Sequence, residues 1–204
     1  MLISKLETWT LRSKYQADFN VILDFVEANA PQSVVAGGFL TRYIGGEPLG
    51  GDIDLYFLNQ AQLLLSKESL VNAGCRCVKE GKVVLLESPL SQYPIHLIGI
   101  KYFPSTEHVL HSFDFTVCQF AYDFKNLMYM PSSLRDLGAK SLRICSIDNN
   151  DMQVYTKRIG KYLNRGFTID EHNLSIFLDY IRNQNPTTYN NYSVEPTTDV
   201  QSEE

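Results

Sequence analysis

The stretch that decides the fold is residues 35–57, which read VAGGFLTRYIGGEPLGGDIDLYF. A short apolar strand leads into the glycine pair Gly37-Gly38, and after a glycine-rich connection Asp52 and Asp54 open a second apolar strand. Carboxylates at positions i and i+2 of a strand point to the same face of the sheet, where they repel each other. Divalent cations relieve this repulsion, and hard oxygen ligands of this kind suit Mg²⁺.

The glycine pair has the chemistry of a phosphate-binding turn. Without side chains, Gly37 and Gly38 let backbone N–H groups approach a phosphate closely at the start of the short helix that follows. Arg42 lies one helical turn after Gly38, so its guanidinium either reaches the same phosphate or pairs with Glu47 at the surface. The sequence leaves both partners of Arg42 open.

A glycine pair, a basic residue and an Asp-x-Asp strand together resemble the nucleotidyltransferase superfamily, whose members include DNA polymerase beta, poly(A) polymerases and CCA-adding enzymes. The resemblance covers roughly residues 33–120 and implies a third carboxylate on a later strand beside the first. Asp114, within the apolar run Phe113–Tyr122, fits that requirement. The resemblance therefore implies that Asp52, Asp54 and Asp114 are catalytic and hold two ions of Mg²⁺ or Mn²⁺, as two-metal phosphoryl chemistry requires.

A second concentration of charge lies in the predicted helix between Asp151 and Arg165. Four side chains at i, i+3, i+4 and i+7 share one face of it, and a fifth lies beside them. This face indicates contact with a triphosphate or an RNA backbone, and the alternative is an ordinary solvated helix face. The resemblance favours Lys161 as a nucleotide-binding residue. The face consists of Arg158, Lys161, Tyr162 and Arg165, with Lys157 adjacent.

The order of the predicted elements gives an α+β fold, a mixed sheet flanked by helices with a small C-terminal helical segment. We expect a catalytic domain over residues 1–147, helices over 148–184 and a disordered tail over 185–204. Helix-capping and turn residues support several boundaries, notably Asn59, Glu80-Gly81 and Asp170.

Charge, hydropathy and cysteine content narrow the expected class of protein and its expected location. The net charge of −5 lacks the strongly basic footprint of a dedicated nucleic-acid binder. No apolar run is long enough to span a membrane, and the four cysteines fit reduced thiols, so we expect a cytoplasmic protein, either a monomer or a homodimer.

The predicted activity is transfer of a nucleoside monophosphate from an NTP to an acceptor hydroxyl, with release of pyrophosphate. The acceptor stays open between an RNA 3′ end, including that of tRNA, and a protein side chain. The alternative is a nucleotide-sensing or partner-binding module of the same fold without turnover. The sequence lacks a P-loop motif, which disfavours a P-loop ATPase.

Overall fold

The computed structural model describes residues 4–7, 17–48, 50–146 and 152–184. Within these residues there are eight strands, seven α-helices and a 3-10 helix at Thr116–Cys118. The strands are β1 (Ser4–Glu7), β2 (Val34–Ala36), β3 (Ile53–Tyr56), β4 (Arg76–Lys79), β5 (Val83–Ser88), β6 (Ser91–Ile98), β7 (Phe120–Tyr122) and β8 (Asn126–Tyr129). The helices are α1 (Ala17–Asn29), α2 (Gly38–Ile44), α3 (Gln60–Asn72), α4 (Thr106–His111), α5 (Pro131–Gly138), α6 (Met152–Leu163) and α7 (Glu171–Gln184).

All eight strands belong to one mixed sheet with the order β1-β8-β7-β2-β3-β6-β5-β4. The central pair β3 and β6 is parallel, and the other neighbouring pairs are antiparallel. Helix α3 and the β4–β5 hairpin lie between β3 and β6 along the chain and provide the crossover that a parallel pair needs. The predicted α+β class with a mixed sheet is confirmed.

The two faces of the sheet are covered unequally. Val35, Ile53 and Leu55 point into the main core, which is shared with α1, α2, α3 and α6. On the opposite face, Val34 and Ala36 belong to a smaller cluster with Val109 and Leu110 of α4. Along β3, fully buried residues alternate with partly exposed ones, so its second and fourth side chains face the thinly covered side of the sheet.

Local sequence signals set many element boundaries as predicted. The side chain of Asn59 accepts a hydrogen bond from the N–H of Gln62 at 2.9 Å and caps α3. The carboxylate of Asp170 accepts one from the N–H of Asn173 at 2.7 Å and caps α7. Pro131 begins α5, where its missing N–H costs nothing. The predicted boundaries at Asn59 and Asp170 are confirmed because each depends on residues within one turn of the chain.

The predicted strand over Phe113–Tyr122 is wrong. Only its last three residues join the sheet as β7, while Phe115 makes an isolated bridge with Ile144 and the chain turns through the 3-10 helix. The hydroxyl of Thr116 donates to the buried carboxylate of Asp136 at 2.8 Å, which holds the turn against α5. An unbroken apolar run indicates burial, but it does not identify the backbone conformation of the buried segment.

Several parts of the predicted domains lie outside the described residues, namely residues 1–3 and 8–16 near the start of the chain, the segment 147–151 and the tail 185–204. The proposed boundary at 147/148 stays a prediction. Helix α6 contributes Tyr155, Ile159 and Tyr162 to the main core. Over the described residues, no helix is long and apolar enough to cross a membrane.

Candidate active site

Asp54 lies on β3 facing the thinly covered side of the sheet, and Asp52 precedes the strand on the same side. Asp52 is 52% exposed and Asp54 is 28% exposed. Both carboxylates are therefore accessible from one side of the sheet, as the i, i+2 spacing predicts.

Gly37 occupies a position where the backbone conformation and the packing both favour glycine. Its φ is +79°, in the region that favours glycine, and it precedes the first residue of α2. A Cβ atom at this position would lie 3.3 Å from the ring of Phe113 and 3.6 Å from Oδ2 of Asp54. The backbone of the glycine turn is thus packed directly beside the acidic pair. A Cβ atom added to the next residue, Gly38, would have no neighbouring atom within 4 Å.

Asp114 lies in the bend that precedes the 3-10 helix. Its buried carboxylate accepts a hydrogen bond from Nη1 of Arg158 on α6, forming an ion pair. The charge of Asp114 also acts on neighbouring groups: burial, and secondarily this charge, raises the pKa of the Cys118 thiol to about 12. Burial raises the pKa of Tyr56 as well, and the charges of Asp54 and Asp114 both add to the increase.

A cavity of about 410 Å³, here called the large cavity, brings these groups together. A volume of this size is in the range of pockets for small ligands. Asp54 and Asp114 line it from the sheet and the bend, and Arg158 and Lys161 line it from α6. The remaining wall combines apolar and aromatic residues with polar ones, among them Lys101 and His111. It includes Gly37, Gly38, Tyr56, Ile98, Ile100, Phe103, Phe113 and Tyr162.

A second opening of about 40 Å³, the small cavity, adjoins the same residues. Gly38, Asp54 and Lys161 line both cavities. The small cavity adds a basic group from α2 and another from the turn just after α6, together with the second acid. These further lining residues are Arg42, Gly50, Gly51, Asp52 and Arg165.

Glu47 gathers three cations beside the small cavity. Its carboxylate accepts hydrogen bonds from Lys140 at 2.7 Å, from Nη2 of Arg165 at 2.9 Å and from Nη1 of Arg42 at 3.4 Å. Burial raises the pKa of Glu47, but the hydrogen bond from Lys140 and the charge of Arg165 lower the pKa by more, so it lies below its ordinary value. Arg42 therefore pairs with Glu47 and also lines the small cavity, and its contact with a phosphate stays a prediction.

The predicted basic side chains of α6, and Arg165 just after it, contact the protein or its cavities, although Arg158 and Lys161 also remain exposed to solvent. Arg158 pairs with Asp114, Lys161 lines both cavities and Arg165 pairs with Glu47. Tyr162 is 4% exposed, and its hydroxyl lies 2.8 Å from Sγ of Cys118. Its ring packs against Phe115 and Phe167, which are both buried, so protein side chains occupy its faces.

Lys157 is exposed and lines neither cavity. The spacing of the α6 side chains thus predicted their common direction, while their partners are distant in sequence.

His96 is the residue that sequence reasoning missed. It lies on β6 in direct register with Asp54, and its Nδ1 is 3.3 Å from Oδ1 of Asp54 and 3.8 Å from Oδ2 of Asp52. The hydrogen bond to Asp54 raises the pKa of His96, and the charge of Asp52 adds to the effect against the opposing influence of burial. The apolar run around His96 indicates only a place in the core, and the register of β6 against β3 cannot be obtained from either strand alone.

The donor set can be tested against a metal ion. Asp52 and Asp54 supply the hard oxygens that Mg²⁺ or Mn²⁺ prefers, and both are accessible. Asp114 faces the same large cavity, but its carboxylate is occupied by Arg158. Among the described residues, no three acidic, histidine or cysteine side chains are already arranged as a metal site. The acidic pair fits a metal ion that also binds to oxygens of a substrate, as Mg²⁺ commonly does.

Comparison with solved structures defines the class of fold. The Thermotoga maritima CCA-adding enzyme complexed with tRNA aligns with a TM-score of 0.67 and 19% identity over 90% of this chain and 47% of that chain. A CCA-adding enzyme in complex with ATP aligns with a TM-score of 0.63 and 19% identity over 90% of this chain and 47% of that one. At this identity the likeness establishes the fold alone, which is that of the nucleotidyltransferases.

The family follows from the sequence comparisons. A family model described as "Gabija anti-defense 2 family protein" matches residues 6–140. The chain belongs to this family. A curated relative, "Gabija anti-defense 2" of Bacillus phage SPbetaL7, is 26% identical over 144 residues, which are 69% of this chain and 35% of that protein. The chain therefore spans about a third of that relative and about half of the matched structures.

Proposed function

We propose that this protein is a metal-dependent nucleotidyltransferase, which moves a nucleoside monophosphate from an NTP to an acceptor hydroxyl and releases pyrophosphate. One observation carries the proposal: Asp54 and Asp114 face a single cavity that also contains the glycine turn and two cations of α6. Clustered carboxylates beside a phosphate-binding turn and fixed cations suit a reaction in which positioning and charge neutralisation supply most of the catalysis.

In the proposed reaction the acceptor oxygen forms a bond to the α-phosphorus of the NTP while the bond from that phosphorus to the β-phosphate oxygen breaks. Pyrophosphate leaves with the electron pair of the broken bond, and the acceptor hydroxyl loses its proton. Asp114 is the proposed proton acceptor. Its ion pair with Arg158 is compatible with this role because Arg158 is 55% exposed and can turn toward a substrate phosphate.

Asp52 and Asp54 are the proposed ligands of the first metal ion, and Asp114 would hold a second ion if Arg158 turned away from it. Bound there, Mg²⁺ or Mn²⁺ would neutralise phosphate charge and lower the pKa of the acceptor hydroxyl. Gly37 and Gly38 would place backbone N–H groups against the phosphates.

Cations around the two cavities are the proposed contacts for the triphosphate. Lys161 supports this role most directly because it lines both cavities between the acids and the glycine turn. Arg42 and Arg165 line the small cavity. Lys157 lines neither cavity and lacks this support, while Tyr162 lines the large cavity but is uncharged and buried against protein rings.

The description of the matched family is the basis for the proposed acceptor. We propose that the acceptor hydroxyl belongs to a component of the Gabija defence, either a protein side chain or an RNA 3′ end, and that the transfer takes place in the cytoplasm. An RNA acceptor gains support from the tRNA complex of the structural relative. A protein acceptor gains support from the net charge of −5, which lacks the strongly basic footprint of a dedicated nucleic-acid binder.

The second candidate is a nucleotide-binding module without turnover, acting through a partner. The ion pair between Arg158 and Asp114 favours it, because a carboxylate that remains paired with a guanidinium cannot bind a metal ion or accept a proton. The two candidates agree on nucleotide binding and differ on pyrophosphate release.

A transfer assay tests both candidates. The purified protein is incubated with each α-labelled NTP, Mg²⁺ or Mn²⁺, and extract from cells that carry the defence system. Asp54→Asn is run beside Glu68→Gln, a matched change of an exposed acid on α3 remote from both cavities. Label on protein or RNA that is lost only with Asp54→Asn supports the enzyme and identifies its acceptor class. Metal-dependent NTP binding with no label or pyrophosphate release supports the module instead.

A further inference from the structure

We infer that Glu47 is a positioning residue, which orients Arg165 so that one edge of its guanidinium remains free to bind the terminal phosphate group of a triphosphate in the small cavity. The inference deepens the proposed function and rests on it for the identity of the ligand.

Arg165 is held on two sides. Its Nε and Nη2 both donate to Oε2 of Glu47, at 3.1 and 2.9 Å. Its guanidinium also lies over the ring of Tyr162, with 4.9 Å to the centroid, and 5.4 Å from the centroid of Phe167. An arginine whose edge and face are both engaged loses little further conformational freedom when it binds an anion.

The third side of the guanidinium has no partner. Nη1 of Arg165 is buried and lacks a hydrogen-bond acceptor among the described residues, although Arg165 lines the small cavity. A buried N–H group without an acceptor costs free energy, and this cost is relieved when a ligand oxygen arrives. Because the group is cationic, the fitting ligand is an anion such as a phosphate oxygen.

The size and setting of the small cavity point to one phosphate group rather than a whole nucleotide. Its volume is about 40 Å³, and Arg42 and Lys161 add positive charge. It shares Gly38, Asp54 and Lys161 with the large cavity, so a ligand in the large cavity can extend a phosphate into it. The site therefore favours an NTP over the corresponding diphosphate.

Lys140 provides the matched control. It donates to Oε1 of Glu47 at 2.7 Å, but it lines neither cavity described above. Lys140→Met thus disrupts the same ion-pair group as Glu47→Gln while leaving the Arg165 pair in place. A merely structural role for Glu47 predicts similar losses from both changes.

The test is calorimetric binding of magnesium pyrophosphate to the full chain, with melting temperatures recorded alongside. We expect Glu47→Gln to weaken binding about tenfold or more, the value of one charge-assisted hydrogen bond, and Lys140→Met to change it less than about twofold. Weaker binding by Glu47→Gln would separate the orientation of Arg165 from a simple charge effect, because removal of a negative charge would by itself strengthen anion binding. Arg165→Lys, which keeps the charge without the planar fork, should also weaken binding.

Unchanged or tighter binding by Glu47→Gln, an equal loss with Lys140→Met, or no binding by the wild type would overturn the inference. If Glu47→Gln does not fold, the result with Arg165→Lys decides. If the variants bind pyrophosphate as expected but no NTP transfers label in the assay described above, the phosphate site is supported and the proposed enzymatic activity is rejected. The failures of the two proposals are thereby distinguishable.

Discussion

Arg158 donates a hydrogen bond to the buried carboxylate of Asp114, and this ion pair joins α6 to the bend before the 3-10 helix. Loss of Arg158 alone would leave a buried carboxylate without its counterion. We expect Arg158→Gln to destabilise the fold by about 1–2 kcal/mol, a value reduced because the arginine is half exposed.

Asp114→Asn should offset part of that loss. In a double-mutant cycle measured by urea unfolding, the coupling energy should be about 1 kcal/mol. Additive effects of the two changes would show that the ion pair contributes nothing to stability.

Replacement by alanine should have opposite effects at Gly37, in the glycine turn, and at Gly160, in α6. Gly37→Ala combines a positive φ with a Cβ 3.3 Å from the Phe113 ring, so it should destabilise the protein by about 1–3 kcal/mol. Gly160→Ala, in α6 with nothing within 4 Å, should stabilise it by about 0.5–1 kcal/mol. Thermal unfolding of both variants measures the contrast, and a tolerated Gly37→Ala would contradict the described close approach.

The acidic pair predicts a metal-dependent increase in stability. With a non-hydrolysable NTP present, saturating Mn²⁺ should stabilise the wild type by about 2–3 kcal/mol if the ligand is at a hundred times its dissociation constant. Asp54→Asn should lose most of this gain, and Glu68→Gln should keep it. A melting curve of Asp54→Asn that responds to Mn²⁺ like the wild type would place the ion elsewhere.

The ion pairs of Glu47 should make the free energy of unfolding depend on pH. Its pKa is lowered in the folded state, so its ion pairs contribute stability above the ordinary value of 4.5, and this contribution is lost as the pH falls below 4.5. Glu47→Gln should therefore cost about 1 kcal/mol at pH 7 and progressively less in acid. Denaturant unfolding of both proteins from pH 3 to pH 7 measures the difference, and a constant difference would contradict the assignment.

The hydrogen bond from Thr116 to Asp136 should stabilise the 3-10 turn that is found in place of the predicted strand. Thr116→Val removes the donor to the buried carboxylate of Asp136 and should cost about 1–3 kcal/mol. Thr156→Val on the exposed side of α6, whose hydroxyl bonds only to a local carbonyl in the helix, is the matched control and should cost less. Equal melting temperatures for the two variants would show that the turn does not depend on this bond.

The sequence predicted those features that depend on neighbouring residues. The caps at Asn59 and Asp170 act within one helical turn, and the common face of Asp52 and Asp54 follows from the pleat of a strand. The partners of Glu47 and the position of His96 were not predictable in the same way. They depend on segments up to 118 residues apart, whose register only the folded sheet and helices determine.

The pairing of β3 with β6 has a consequence for the tolerance of this chain to insertions. His96 stands beside Asp54 only because Ile53 aligns with Ile95 and Leu55 with Leu97. A one-residue slip would turn the imidazole into the main core and set an aliphatic side chain beside the acids. Length changes during divergence should therefore accumulate in the β4–β5 turn and be excluded from β6 itself.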